Sequence, residues 1–240
     1  MTARRRIVLI GDGPARTRAE LLGDVVAVVH SDVLDASGPA GADPGLTVRA
    51  VAADADLVVV DGHADPATLE RLATHCERPV LAVRAAPRGP YRRVLVGIDH
   101  TPTALDALAA ASGLAPTAEL VALHVATPVG ERKLRAALVP ERHVRALRRA
   151  IRDEELGRLR SFLAGRSDPE RPVEPIAVAG VAADGIVATA RRRHADLVVV
   201  GARGGGLRHA LLGSVARSVL VRIPGDVLVV GGGAATGPEV

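Results

Sequence analysis

Short apolar runs rich in Val, Leu and Ile recur along the chain, separated by Ala-rich or charged stretches. Most runs are four to six residues long and lack strict alternation of apolar and polar positions. That pattern is typical of strands buried on both faces of a parallel sheet. The runs predict strands at residues 7–10, 25–29, 57–60, 80–83, 94–98, 120–125, 175–178, 197–200 and 227–230.

Segments compatible with helices lie between these runs, at residues 103–114, 142–163, 183–194 and 215–223. Strands that alternate with helices imply right-handed βαβ crossovers and a parallel sheet. The fold class predicted from this order is therefore α/β, with open parallel sheets flanked by helices.

Two internal matches indicate a duplication. The hexapeptide ADLVVV occurs at residues 55–60 and again at 195–200, and residues 5–12 resemble residues 92–99. Repeats of this kind predict two tandem domains. We place a shortened first domain at residues 1–86 and a complete second domain at 91–233, joined by a segment with two prolines and a glycine. A Gly- and Pro-rich loop at 35–45 marks where the first domain has lost a strand and a helix.

Composition excludes several classes of protein. Aromatic residues make up 1% of the chain, so the core must be built from Val, Leu, Ile and Ala. The single cysteine, Cys76, rules out an intrachain disulfide and is expected to be buried in a protein of the reducing cytoplasm. No apolar run reaches the roughly 18 residues that span a bilayer, and the basic start does not continue as a signal peptide.

The net charge of +4 raises the question of nucleic-acid binding. The chain has too few aromatic side chains to stack bases, so this partner is not expected. The helix at 142–163 carries arginines at helical spacing, which would either dock an acidic partner or form a solvated face. These are Arg142, Arg145, Arg148, Arg149 and Arg152.

The second ADLVVV run leads into a glycine-rich loop at residues 201–206, and Gly213 and Ser214 open the next helix. Glycines let backbone amides approach phosphate oxygens, while a helix start adds free N–H groups and a favourable dipole. Ser214 is a good N-cap residue. Ligands of open parallel sheets bind beyond the carboxyl ends of the strands, so a phosphate site is expected here.

The first ADLVVV run is followed by carboxylates instead of glycines. Asp61 and Asp65 stand where the second domain has its loop, and their charge would repel a triphosphate. We therefore expect one nucleotide site per chain.

Residues 201–220, GARGGGLRHALLGSVARSVL, resemble the nucleotide loop of the universal stress protein family. Residues 94–105, VLVGIDHTPTAL, resemble the family's opening strand and aspartate turn, and residues 122–128 its second strand. The resemblance covers residues 91–231 and extends loosely over 4–85. Two features depart from the family pattern: eight residues instead of nine separate Gly204 from Gly213, and His100 replaces a turn glycine. Histidine tolerates the left-handed conformation better than most residues, so the turn is expected to survive.

The resemblance implies a Rossmann-like fold of the adenine nucleotide alpha hydrolase type, with ATP as ligand. Asp99 would hydrogen-bond the adenosine and Val125 would contact the adenine, while the glycines and the start of the last helix would hold the ribose and phosphates. Magnesium would be held mainly by the phosphates. The implied nucleotide-binding residues are Asp99, Val125, Gly201, Gly204, Gly213, Ser214 and Val215.

The family also implies a cytoplasmic stress-response or regulatory module. Its members dimerise through their final strand, which predicts that residues 80–83 and 227–230 pair within one chain as a pseudo-dimer. A homodimer of two whole chains is also compatible with the sequence. The sequence places no catalytic base, so we expect no enzyme beyond weak ATP hydrolysis. No paired cysteines or HExxH motif appear and the eight histidines are dispersed, so no dedicated metal site is expected.

Two alternatives remain. The first is a nucleotide-free interaction module of the same fold, in which the basic helix recruits a protein partner. The second is a hydrolase or transferase that uses the same loop.

Overall fold

The computed structural model describes residues 5–29, 52–128, 136–164, 171–202 and 212–231. Its strands are β1 (Arg5–Ile10), β2 (Gly23–Val29), β3 (Leu57–Asp61), β4 (Val80–Val83), β5 (Arg93–Gly97), β6 (Glu119–Ala126), β7 (Val173–Ala179), β8 (Leu197–Gly201) and β9 (Asp226–Val230). Its principal helices are α1 (Pro14–Leu22), α2 (Pro66–His75), α3 (Pro102–Leu114), α4 (Glu141–Leu163), α5 (Ala182–Arg193) and α6 (Ser214–Arg222). Every predicted strand is confirmed, and the ends of the four predicted helices differ by at most one residue.

The nine described strands form one sheet in the order β2-β1-β3-β4-β9-β8-β5-β6-β7. All neighbours are parallel except β4 and β9, which run antiparallel with Val80 opposite Val229 and Ala82 opposite Val227. The final strands of the two repeated units therefore meet within one chain, as the pseudo-dimer hypothesis predicted. The α/β class with a mostly parallel sheet is confirmed, and the two predicted sheets are continuous with each other.

The two ADLVVV copies occupy matching places in this sheet. β3 lies between β1 and β4, and β8 lies between β5 and β9. The last four residues of each copy are buried, with Val59 and Val199 both fully inaccessible to solvent, while the aspartate before them is exposed. This explains why the runs show no polar alternation, since a strand covered by helices on both sides has no solvent face.

The helices cover the two faces of the sheet as separate layers. α2, α5 and α6 pack on one face with the side chains of Val198 and Val200. α1, α3 and α4 pack on the other face with Leu197 and Val199. Alternate residues of one strand thus belong to different cores, as the period of two along a strand requires.

A buried polar cluster joins the two halves of the sheet at the start of β9. Asp226 is only 3% exposed. Its carboxylate accepts hydrogen bonds from the Tyr91 hydroxyl at 2.7 Å and from the Arg84 backbone N–H at 3.0 Å. The Arg18 guanidinium from α1 lies 3.5 Å from the same carboxylate and 4.0 Å above the Tyr91 ring. Burial, followed by the Asp226 charge, raises the pKa of Tyr91 well above its usual value, so the hydroxyl remains a donor.

Three further expectations concern single features. Cys76 is buried, as expected. No helix in the described part of the chain is both long and apolar enough to cross a membrane. The predicted loop at 35–45 lies outside the described residues.

Candidate functional site

A cleft lies at the carboxyl ends of β5, β6 and β8, bounded by the starts of α5 and α6, with a volume of about 220 Å³. It is the position at which open parallel sheets bind ligands. The structure brings six of the predicted site residues together in its lining: Asp99, Val125, Gly201, Gly213, Ser214 and Val215. Gly204, the seventh, lies outside the described residues.

One wall of the cleft is apolar. Val125 and Leu123 of β6 face Ile186 of α5 and Ala216 of α6. α5 packs closely on β6 because Gly185 has no side chain: a Cβ there would lie 2.8 Å from both γ-carbons of Val125. Such a wall suits a flat, weakly polar ring.

Sequence reasoning missed the contribution of α5 to this wall. Ala182 and Ile186 both line the cleft and lie four residues apart, so they share one face of the helix. That spacing was visible in the sequence, but nothing in it indicated that this face turns towards β6.

Asp99 follows β5 and sits at the exposed edge of the cleft. Its Oδ1 accepts hydrogen bonds from the backbone N–H and the hydroxyl of Thr101, which closes a tight turn. Between them His100 has φ of +61°, so the expected left-handed turn is present. Burial, then the nearby His124, lowers the pKa of His100. The turn occupies one carboxylate oxygen of Asp99 and leaves Oδ2 without a protein donor among the described residues.

The two ends of the glycine-rich segment are held together. The Gly213 N–H donates to Ala202 O at 2.8 Å, and the Ala202 N–H donates to Val230 O at 2.7 Å. The chain therefore leaves β8 and enters α6 at one fixed place beside the cleft.

The N-terminus of α6 opens onto the cleft without a side-chain cap. Gly213, not Ser214, is the N-cap residue, and Ser214 is the first residue of the helix, which corrects the expected capping role of Ser214. The first helical hydrogen bond runs from Arg217 N to Gly213 O at 2.9 Å. Within the described residues, the N–H groups of Ser214 and Val215 have no acceptor. Unpaired amides at a helix start attract anions.

The sequence profile of the Universal stress protein family matches residues 90–231 of the chain. The chain belongs to the universal stress protein family. The profile covers the second repeated unit, and the boundaries at 1–86 and 91–233 stay a prediction.

Solved structures show the same fold over nearly the whole chain. A universal stress protein from Archaeoglobus fulgidus DSM 4304 is 15% identical with a TM-score of 0.68, and the alignment covers 95% of this chain and 97% of that one. A functionally unknown protein from Pseudomonas aeruginosa PAO1 is 20% identical with a TM-score of 0.60, covering 95% of this chain and 93% of that one. No curated protein matches the chain.

The first half of this family member differs at the matching helix start. α2 follows β3 as α6 follows β8, but its N-cap is Asp65. The Asp65 carboxylate accepts hydrogen bonds from the N–H groups of Ala67 at 2.8 Å and Thr68 at 3.0 Å, and from the Thr68 hydroxyl. The hydrogen bond from that hydroxyl is the largest contribution that lowers the pKa of Asp65. The Asp65 carboxylate thus occupies the amides at the start of α2, whereas the corresponding amides of α6 are free within the described residues.

Proposed function

We propose that the cleft binds ATP and that the protein acts as an ATP-responsive stress-response or regulatory module. The observation that carries the proposal is the uncapped start of α6, which faces a cleft with an apolar wall. The two ends of the cleft therefore differ in chemistry: one suits an aromatic base and the other suits phosphate.

The expected contacts with ATP follow from the different chemistry of the two ends of the cleft. The adenine would pack between Val125 and Ile186, and Asp99 Oδ2 would accept a hydrogen bond from the adenosine part. The amides of Ser214 and Val215 would donate to phosphate oxygens. Asp99 is the only carboxylate in the described lining of the cleft, so a magnesium ion would be held mainly by the phosphates.

We propose binding rather than catalysis. A serine becomes a nucleophile when a neighbouring base accepts its proton. Ser214 makes no side-chain hydrogen bond to a histidine or carboxylate within the described residues. ATP turnover well above background that is lost in Ser214→Ala or Asp99→Ala would favour the hydrolase or transferase alternative.

The competing proposal is an interaction module that no longer binds nucleotide. Arg142, Arg145 and Arg149 of α4 are exposed. Their neighbour Arg152 pairs with Asp153 at 2.8 Å. This basic surface is open to an acidic partner whether or not the cleft is occupied.

A thermal-shift titration separates the two proposals. A ligand that binds only the folded state at a hundred times its Kd stabilises that state by about 2.7 kcal/mol. For a chain of this size we expect Mg-ATP to raise Tm by roughly 5–10 °C. AMP and a cyclic nucleotide, titrated in parallel, measure what the added phosphates contribute.

The control is the same titration with magnesium alone. An unchanged Tm at millimolar ATP, AMP and cyclic nucleotide would contradict nucleotide binding and favour the interaction module.

A further inference from the structure

Three side chains with metal-binding atoms converge beside the cleft. They are His100 in the turn after β5, His124 of β6 and Glu155 of α4. The Nε2 atoms of His100 and His124 lie 3.9 and 3.7 Å from Glu155 Oε2. The two imidazole ring centres are 4.5 Å apart.

This cluster lies on the opposite face of the sheet from the apolar wall. Adjacent residues of a strand point to opposite faces, so His124 points away from the face that Val125 lines. Phe162 of α4 packs edge-on against His100, with ring centres 5.1 Å apart. The three side chains therefore cluster between β5, β6 and α4, beside the cleft that His124 also lines.

The tautomer of the neutral His124 ring is set by its hydrogen-bond partner. Its Nδ1 lies 2.8 Å from the backbone oxygen of Ile98. A carbonyl oxygen can only accept, so Nδ1 carries the proton and Nε2 of the neutral ring presents its lone pair towards Glu155. Histidines that bind metal ions nearly always donate their second N–H in this way.

The other two metal-binding atoms of the cluster, Glu155 Oε2 and His100 Nε2, also face its centre. Glu155 uses Oε1 to accept a hydrogen bond from Arg158 at 2.9 Å, which fixes the carboxylate and leaves Oε2 facing the two rings. Nε2 of His100 is buried and has no hydrogen-bond partner among the described residues. At 3.7 and 3.9 Å neither ring hydrogen-bonds Glu155 Oε2, and the lone pair of neutral His124 and that oxygen repel each other unless a proton or a cation lies between them.

We propose that His100, His124 and Glu155 bind one divalent transition-metal ion of the zinc class, with a fourth position open to water. Zinc–ligand bonds of about 2.0–2.2 Å in a tetrahedral site place ligand atoms roughly 3.3–3.5 Å apart. The observed 3.7 and 3.9 Å separations would need to shorten only slightly. Two imidazole ligands favour zinc over magnesium or calcium, which prefer oxygen ligands.

The ion would tie three parts of the chain together. His100 is adjacent to Asp99, so coordination would anchor the turn at the cleft edge to α4. The prediction that the chain has no dedicated metal site rested on its dispersed histidines and on the absence of an HExxH motif and of paired cysteines. The fold brings two of them together with Glu155 across three elements.

The test uses the full, tag-free chain after treatment with a chelator and without nucleotide. Calorimetric titration with Zn²⁺ is expected to show one tight equivalent, and Co²⁺ is expected to give the strong visible absorption of a tetrahedral site. Glu155→Gln and His100→Asn should each weaken zinc binding by at least about tenfold. Asparagine also tolerates the left-handed conformation at position 100.

His143→Gln is the matched control, because His143 is exposed on the same helix as Glu155 but outside the cluster. Glu155→Gln preserves the size of the side chain, so its result stands even if His100→Asn destabilises the turn. Absence of a tight zinc equivalent, or equal zinc affinity in Glu155→Gln and the unmodified chain, would overturn the proposal. ATP binding is measured separately and does not bear on this result.

Discussion

Gly213→Asp is expected to weaken ATP binding by at least about 100-fold while leaving the free energy of unfolding unchanged or slightly higher. Gly213 is the N-cap of α6 with φ of −59° and ψ of 145°, a conformation that aspartate adopts readily. The new carboxylate would accept the free amides of the first turn, as Asp65 does at α2. Its charge would also face the phosphates, at a cost of about 1–4 kcal/mol at 4 Å.

Gly213→Asn is the matched control for charge. Asparagine caps helices about as well as aspartate, so both variants occupy the amides, but only aspartate adds a negative charge. We expect ATP affinity to fall in the order glycine, asparagine, aspartate, measured by calorimetry on each variant. Equal ATP affinity in the Gly213→Asp variant and the unmodified chain would show that phosphate does not bind at the start of α6.

Asp226→Ala is expected to lower the free energy of unfolding by about 3–5 kcal/mol, the usual result of removing one partner of a buried ion pair. Asp226 is buried and joins Arg18, Arg84 and Tyr91 across the β4–β9 junction. Its loss leaves a buried guanidinium and a buried hydroxyl without their partner. Urea unfolding of the two proteins measures the difference.

Asp184→Ala is the control for an exposed pair. Asp184 accepts a hydrogen bond from Arg222 at 2.7 Å, but its side chain is 60% exposed. Pairs of this kind contribute about 0–1 kcal/mol. If Asp226→Ala were no more destabilising than Asp184→Ala, the buried cluster would not be what holds the two halves together.

The strands could be predicted from the sequence because a strand that is buried on both faces consists of consecutive apolar residues. A run such as residues 197–200 has no polar position, and few structures other than a covered strand allow that. The turn at His100 was expected from the family resemblance, which places a glycine there, and histidine tolerates its left-handed backbone better than most residues. In each case the local structure depends on a few consecutive residues.

The parts that could not be predicted depend on contacts between distant residues. Gly213 and Ser214 are both acceptable N-cap residues. In the structure Gly213 is the N-cap, and its N–H donates a hydrogen bond to Ala202 O. The sequence shows only that Asp226 precedes an apolar run, whereas the fold shows that it is buried and hydrogen-bonded to Tyr91. The cluster of His100, His124 and Glu155 likewise has no sequence spacing that could reveal it.

Calorimetric titration of the full chain with Mg-ATP tests the central claim most directly. The open amides of α6 and the Asp65 cap of α2 together predict one ATP per chain. Two equivalents would show that the first half also binds nucleotide despite its carboxylates. No measurable binding at millimolar ATP would contradict the assignment of the cleft itself.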